Sequence, residues 1–278
     1  MSIRLLALDL DGTLLDPYGK LPGTARAAVA DAQRAGLAVI VCTGRRFRTA
    51  LPLLRELELE GPAVVNNGAV VKDLATARTL HHAYLADEVY PEALEVMRSA
   101  GAPLVYVDEY EADTDILVER GGRTHPFQVK YLADHGEHCR FVDDLGAPRQ
   151  HDVIMLSMMA DEATLEPLRE RAARTLGNRI ETHVIWNKNY EGQILEFFSP
   201  SSGKWRALER VASDAGIAPE EIAAVGDDSN DASMLRGAGL GIAMGNAVDE
   251  AKRAADIVVR SNAEGGVVEA IRRVLLTA

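Results

Sequence analysis

The sequence predicts an α/β fold: a doubly wound, mostly parallel-sheet (Rossmann-like) core with an inserted α+β cap domain. Three observations predict it. Short β-branched runs alternate with amphipathic helical stretches at both ends of the chain, as in a parallel sheet covered on both faces. Neither end alone makes a comfortable sheet, so both are expected to build one core. The middle of the chain departs from the alternation, with longer strands that pair around a polar turn. The core is expected over residues 1–80 plus 196–278, and the cap over 81–195.

The elements follow in order. "IRLLALDL" reads as a buried strand and "GTARAAVADAQRAG" as a helix closed by Gly36. "LAVIVCT" is a second buried strand, "RTALPLLRELELE" a second helix, and "PAVVNN" a third strand followed by a hairpin through "GAVVKD". In the insertion, "EVYPEALEVMRSAG" is helical and "PLVYVDE" extended, and a charged region without a clear period follows. "HDVIMLSMMA" is a strand whose Met155, Met158 and Met159 read as core, and "EATLEPLRERAARTLG" is a helix. "RIETHVIWN" and "GQILEFFS" read as antiparallel strands around "KNYE". "HGEHC", residues 135–139, has two histidines three apart; nothing else completes a zinc site, so an exposed loop is expected. The last part returns to alternation: "GKWRALERVASDAG" helix, "IAAVGDD" strand and loop, "NDASMLRGAG" short helix, "LGIAM" strand, "AVDEAKRAA" helix, "DIVV" strand and "GGVVEAIRRVLL" helix.

Composition narrows the class. The chain has 278 residues, 47% hydrophobic and 26% charged, which suits a folded globular protein. Its 42 acidic residues outnumber 30 basic ones, for a net charge of −12, so nucleic acid and anionic membrane surfaces are not expected partners. Cys42 and Cys139 are far apart and in no metal-ligand spacing, which fits a reducing cytoplasm. The opening "MSIRLLALDLDG" does not read as a signal peptide, and no stretch approaches a membrane span. A cytoplasmic protein is expected; its oligomeric state is not legible.

Ligands of an open parallel sheet bind outside the carboxyl ends of the strands. The first strand ends in Asp9 and Asp11, and the second in Thr43, Gly44 and Arg45. Lys204 starts a helix, and another strand leads to Asp227, Asp228, Asn230 and Asp231. Two carboxylates at about 4 Å repel by roughly 4 kcal/mol at an effective dielectric of about 20. Asp9 and Asp11, two apart at a strand end, therefore call for an offsetting charge, for which a divalent cation is the natural candidate. Hard carboxylate oxygens suit Mg²⁺, with room left for a substrate phosphate. Lys204 at a helix N-terminus, the Thr43 hydroxyl and backbone N–H groups near Gly44 suit an anion. With the charges neutralised, a carboxylate can attack phosphorus, and Asp11 is placed to protonate the leaving alcohol and activate water. Asp228 reads as a surface or capping acid.

"DLDGT", "TGR", "GK" and "GDDSND" together resemble the four motifs of the haloacid dehalogenase-like hydrolases, and the layout resembles their Cof-type branch. "NNGA" at 66–69 and "GIAMGNA" at 241–247 are also similar to that branch, although many relatives have Lys-Gly where this chain has Lys204-Trp205. The resemblance implies a Mg²⁺-dependent phosphatase of small phosphorylated metabolites. It makes Asp9 the nucleophile that becomes aspartyl-phosphate, and Asp11 the general acid/base with its backbone carbonyl on the metal. Thr43, Gly44 and Lys204 hold the phosphoryl group, and Asn230 orients phosphate or Lys204. Asp227 is a third metal ligand, with Asp231 behind it. Substrate contacts are expected from Arg45 and Asn67, and from Trp186, Lys188 and Tyr190 of the cap. A phosphomutase of the same superfamily and a non-catalytic phosphometabolite-binding regulator are the competing readings.

Overall fold

The computed structural model describes residues 2–146, 151–187 and 192–277, with only the backbone of residue 187. They form two compact units: one runs to His82 and resumes at Gly203, and the other is Ala83–Ser202.

The first unit begins with β1 (Leu5–Leu8), buried at every position. α1 (Gly23–Arg34) turns Ala25, Ala28, Val29 and Ala32 inward, a spacing of three and four residues that makes one face of a helix. β2 (Ala38–Val41) pairs parallel with β1, and α2 (Phe47–Glu56) buries Phe47, Ala50, Leu51 and Leu54. β3 (Pro62–Val65), expected as a full core strand, meets the end of β2 through one parallel bridge, Cys42 with Val64. Its ladder is the expected hairpin, antiparallel with β4 (Val70–Asp73), which pairs with β5 (Thr79–His82). The cause is local. Asn66 and Asn67 take left-handed φ values of 48° and 54°, which asparagine tolerates better than most residues, and they bend the chain directly after Val65.

The second unit contains α3 (Tyr90–Arg98), β6 (Leu104–Glu109), β7 (Thr114–Glu119), α4 (Pro126–His135), β8 (Cys139–Val142), β9 (Val153–Ala160), α5 (Glu162–Leu176), β10 (Glu181–Asn187) and β11 (Gly192–Phe198). Its sheet runs β10-β11-β9-β6-β7-β8, antiparallel throughout except between β7 and β8. Leu94, Met97, Leu156, Leu165, Leu168, Leu195 and Phe197 belong to its buried core. Three expectations are corrected here. The charged stretch after "PLVYVDE" folds into β7, α4 and β8. Consecutive residues Thr114–Val118 are all buried, so the strand carries no polar alternation to read. "HGEHC" is a single helical turn leading into β8 rather than an exposed loop, and His138 faces Asp113 at 3.2 Å and Glu137 at 3.3 Å. The unit ends at Ser202 rather than 195, because β11 continues unbroken to Phe198. The turn "KNYE", with Lys188 and Tyr190, lies outside the described residues.

The chain then completes the first unit with α6 (Lys204–Asp214), β12 (Ile222–Gly226), α7 (Ala232–Gly237), β13 (Leu240–Ala243), α8 (Asp249–Ala254), β14 (Ile257–Val258) and α9 (Gly266–Leu275). The main sheet is parallel in the order β14-β13-β12-β1-β2. β2 lies on one side of β1 and the later strands on the other, so the order reverses at β1. The carboxyl ends of β1 and β12 therefore flank a topological switch point, where such sheets bind ligands. Trp205, the departure from the expected Lys-Gly, packs its indole against Gly237 of α7, where any Cβ would collide with the ring. Among the described residues no helix is long and apolar enough to cross a membrane.

One buried acid in the second unit sets a pH dependence. Glu196 on β11 is buried, its Oε2 has no hydrogen-bond partner among the described residues, and burial pushes its pKa up to about 8. The folded state thus keeps its proton between the ordinary value of 4.5 and about 8, while the unfolded chain releases it. Glu196 therefore leaves stability intact below pH 4.5 and erodes it as pH rises toward 8, by up to about 5 kcal/mol. Urea unfolding across that range should show Glu196→Gln gaining on the wild type as pH rises. A constant difference would contradict the assignment.

Candidate active site

The site is assembled from chain segments that end at the switch point. β1 stops at Leu8, and Asp9 follows in extended backbone with its amide donating to the Val225 carbonyl of β12. Residues 10–14 then turn the chain, with Asp11 in extended backbone and Gly12 left-handed inside the turn, which the Leu15 amide closes on the Leu10 carbonyl. Gly12 makes that turn possible: its φ is +83°, and a Cβ there would lie 2.1 Å from the Asp227 carboxylate. Because the strand ends before the turn, Asp9 and Asp11 do not share a strand face. The side chain of Asp9 is 6% exposed and that of Asp11 55%.

Each acid has its own counter-charge. Lys204, the first residue of α6, is buried, and its Nζ donates to Asp9 Oδ1 and to Asp231 Oδ1, both at 2.7 Å. Asp11 instead accepts two bonds from Arg45, Nε to Oδ2 at 2.7 Å and Nη2 to Oδ1 at 2.6 Å. The repulsion for which the sequence suggested a divalent cation, with Lys204 beside it, is thus already offset by two basic side chains, Lys204 on Asp9 and Arg45 on Asp11. Asp231 is held from both ends: its other oxygen accepts the amides of Asp227 and Asp228 at 2.9 and 3.0 Å. Asp228 caps its own turn by accepting from the Ser229 amide.

Asp227 is the least compensated acid. Thr13 donates its hydroxyl to Oδ1 at 2.8 Å, and Asn246 donates to Oδ2 at 3.3 Å and to the Gly12 carbonyl at 2.9 Å. Burial pushes its pKa up to about 7, with the neighbouring Asp231 adding to the rise and the Thr13 bond opposing it. Burial also raises Asp9 well above the usual carboxylate range, against the pull of Lys204. Burial pulls Lys204 down, but Asp231 and Asp9 outweigh it, and the ammonium stays charged. Oxygens of Asp9, Asp227 and Asp231 lie within 4.8 Å of one another, a cluster of hard donors with more negative charge than Lys204 cancels. That donor set fits a divalent cation. Asp11 is not in the cluster.

The rim is finished by residues after β2 and β3. Thr43 is buried; its Oγ1 accepts the Arg45 amide at 3.1 Å, which leaves its own hydrogen to donate. Gly44 lies against the Asn67 amide, whose Oδ1 accepts from Asn230 Nδ2 at 2.8 Å. Asn230 thus spends a donor on Asn67, while its Oδ1 and the Nδ2 of Asn66 are buried without partners among the described residues. Thr13, Asn66 and Asn246 had no site role in the sequence reading. All three sit in stretches it singled out, "DLDGT", "NNGA" and "GIAMGNA", so adjacency to the motif acids was the available signal. Trp186 lies in the other unit, on β10, and is 59% exposed. The Cys42 thiol is buried and burial raises its pKa, which disqualifies it as a nucleophile at neutral pH.

A family model described as haloacid dehalogenase-like hydrolase matches residues 6–271. The chain belongs to that family. Among the curated relatives of this hydrolase is 5-amino-6-(5-phospho-D-ribitylamino)uracil phosphatase YwtE of Bacillus subtilis, 29% identical over 98% of each chain. Pyridoxal phosphate phosphatase YbhA of Escherichia coli is also 29% identical over 98% of each. A solved haloacid dehalogenase-like hydrolase from Bacteroides thetaiotaomicron superposes with a TM-score of 0.81 at 27% identity, covering 98% of this chain and all of the other.

Replacing Lys204 by methionine keeps the volume and removes the charge, leaving Asp9 and Asp231 buried without their partner. Breaking a buried pair from one side typically costs about 3–5 kcal/mol. Equilibrium unfolding in urea should show a loss of that size for Lys204→Met; an unchanged midpoint would mean the lysine is not the compensating charge.

Proposed function

We propose that this hydrolase is a Mg²⁺-dependent phosphatase of small phosphorylated metabolites, with Asp9 as the nucleophile. The observation that carries the reading is the buried Asp9 carboxylate, fixed by Lys204 beside Asp227 at the switch point. The relatives named above as phosphatases support it, since both names denote a phosphate ester on a small organic skeleton. In this reading Ala83–Ser202 is the cap, and Trp186, Lys188 and Tyr190 remain its proposed substrate contacts.

Asp9, Asp227 and the Asp11 backbone carbonyl are the proposed protein ligands of the metal, with Asp231 holding Lys204 and the Asp227 backbone behind them. Mg²⁺ bound there would screen the repulsion between an anionic nucleophile and a phosphate dianion. The chain's own residues do the rest. Thr43 and backbone N–H groups near Gly44 donate to the phosphoryl oxygens, and Lys204 supplies the positive charge. An Asp9 oxygen attacks phosphorus as the bond from phosphorus to the leaving oxygen breaks, and the Asp11 proton passes to that oxygen to release the alcohol. Water then attacks the phosphoryl group on Asp9 and yields its proton to Asp11. The bond to Asp9 breaks, and inorganic phosphate leaves.

The test is phosphate release from an aryl phosphate and a panel of metabolite phosphates, with Mg²⁺ or with EDTA, beside Asp9→Asn. Release should require Mg²⁺ and fall by at least about 10³-fold in the variant. Silence of the wild type across the panel, or full turnover by Asp9→Asn, would overturn the reading.

A further inference from the structure

Asn246 stands on no regular element, yet its side-chain amide is held at both ends. It lies in the loop between β13 and α8 and is exposed. Nδ2 donates to the Gly12 carbonyl at 2.9 Å and to Asp227 Oδ2 at 3.3 Å, while Oδ1 accepts the Asn262 amide at 2.8 Å. Only one orientation of the side chain satisfies this pattern. A flipped amide would turn its oxygen toward two acceptors and its nitrogen toward a donor. An exposed loop side chain ordinarily changes rotamer within nanoseconds; this one is fixed by three bonds.

The loop that carries Asn246 is itself tied down. The Met244 amide donates to the Gly226 carbonyl at 3.0 Å, that of Gly245 to the Arg260 carbonyl at 3.1 Å, and that of Val248 to the Asp227 carbonyl at 2.9 Å. Gly245 packs so closely on the neighbouring segment that a Cβ would lie 2.7 Å from the Ser261 amide nitrogen. Asn262 Nδ2 in turn donates to the Leu15 carbonyl at 2.8 Å. The turn at 10–14 is thus held at two carbonyls, Gly12 and Leu15, by a frame built on the ends of β12 and β13 and the segment before α9. Asn246 joins the backbone of that turn to the Asp227 carboxylate. Thr13 holds the other Asp227 oxygen at 2.8 Å, so the carboxylate is oriented from both sides.

We infer that Asn246 is a positioning residue for the cation site: it fixes the spacing between the turn that carries the Asp11 carbonyl and the Asp227 carboxylate, and so sets the affinity for Mg²⁺. The inference rests on the metal reading above. The two groups come from segments far apart in the chain, and a cation bound by both requires them ordered together. Where that order exists beforehand, binding loses less entropy. Groups that hold metal ligands without touching the metal typically change its affinity about 10–100-fold when removed.

The experiment titrates Mg²⁺ alone into metal-free wild type, Asn246→Ala and Asn246→Ser, by calorimetry and by the melting temperature at each concentration. The serine hydroxyl is too short to span both acceptors, and that variant serves if the alanine one does not fold. The Mg²⁺ Kd should rise at least about tenfold in each variant. The rise in melting temperature with Mg²⁺ should move to concentrations higher by the same factor. Without metal, the melting temperature should fall by less than about 4 °C. At saturating Mg²⁺, KM for the phosphate ester that the wild type turns over fastest should change by less than about threefold. An unchanged Mg²⁺ Kd would overturn the inference: with a lower metal-free melting temperature Asn246 would be a tie of the fold only, and with a raised KM a substrate contact. A wild type that binds no Mg²⁺ would bring down the metal reading itself, and the inference with it.

Discussion

Lys204 Nζ lies between Asp9 and Asp231, 2.7 Å from an oxygen of each, with all three side chains buried. A carboxylate taken out of water costs several kcal/mol unless an opposite charge and hydrogen bonds replace the lost solvation. The rest of the site follows from that constraint. Asp231 can hold the lysine because its second oxygen is met by two backbone amides, and those amides belong to the segment that carries Asp227. One ammonium thereby links the end of β1, the start of α6 and the loop after β12. It still leaves an excess of negative charge, centred on Asp227, for a cation to meet.

The sheet topology makes this convergence possible. Because β2 and β12 lie on opposite sides of β1, loops distant in sequence end at one rim. The close approach at that rim is paid for in backbone conformation: Gly12 takes φ +83° so that the turn carrying Asp11 can pass the Asp227 carboxylate. On the neighbouring strand ends, the left-handed pair Asn66–Asn67 turns β3 away from the main sheet and leaves Asn67 to receive Asn230.

Much of this was legible in the chain because charge at the end of an apolar run is a strong signal. Asp9, Asp227, Asp231 and Lys204 each follow or start a regular element, and the structure brings all four together. What was not legible depended on partners. Asp9 and Asp11 read as one repelling pair, but the turn at 10–14 separates them and each has a different cation. Thr13 and Asn246 are ordinary polar residues until folding places them on Asp227. The charged middle of the second unit hid β7, because a strand buried on both faces carries no period of two.

The central claim is that this arrangement prepares Asp9 to form a bond to phosphorus. The most direct measurement is an acid quench during turnover of a phosphate ester, followed by mass spectrometry of the peptides. The account predicts the mass of one phosphoryl group on the peptide containing Asp9, absent when substrate is omitted and absent in Asp9→Asn. Turnover that proceeds in Asp9→Asn, or a phosphoryl group on a different residue, would contradict it.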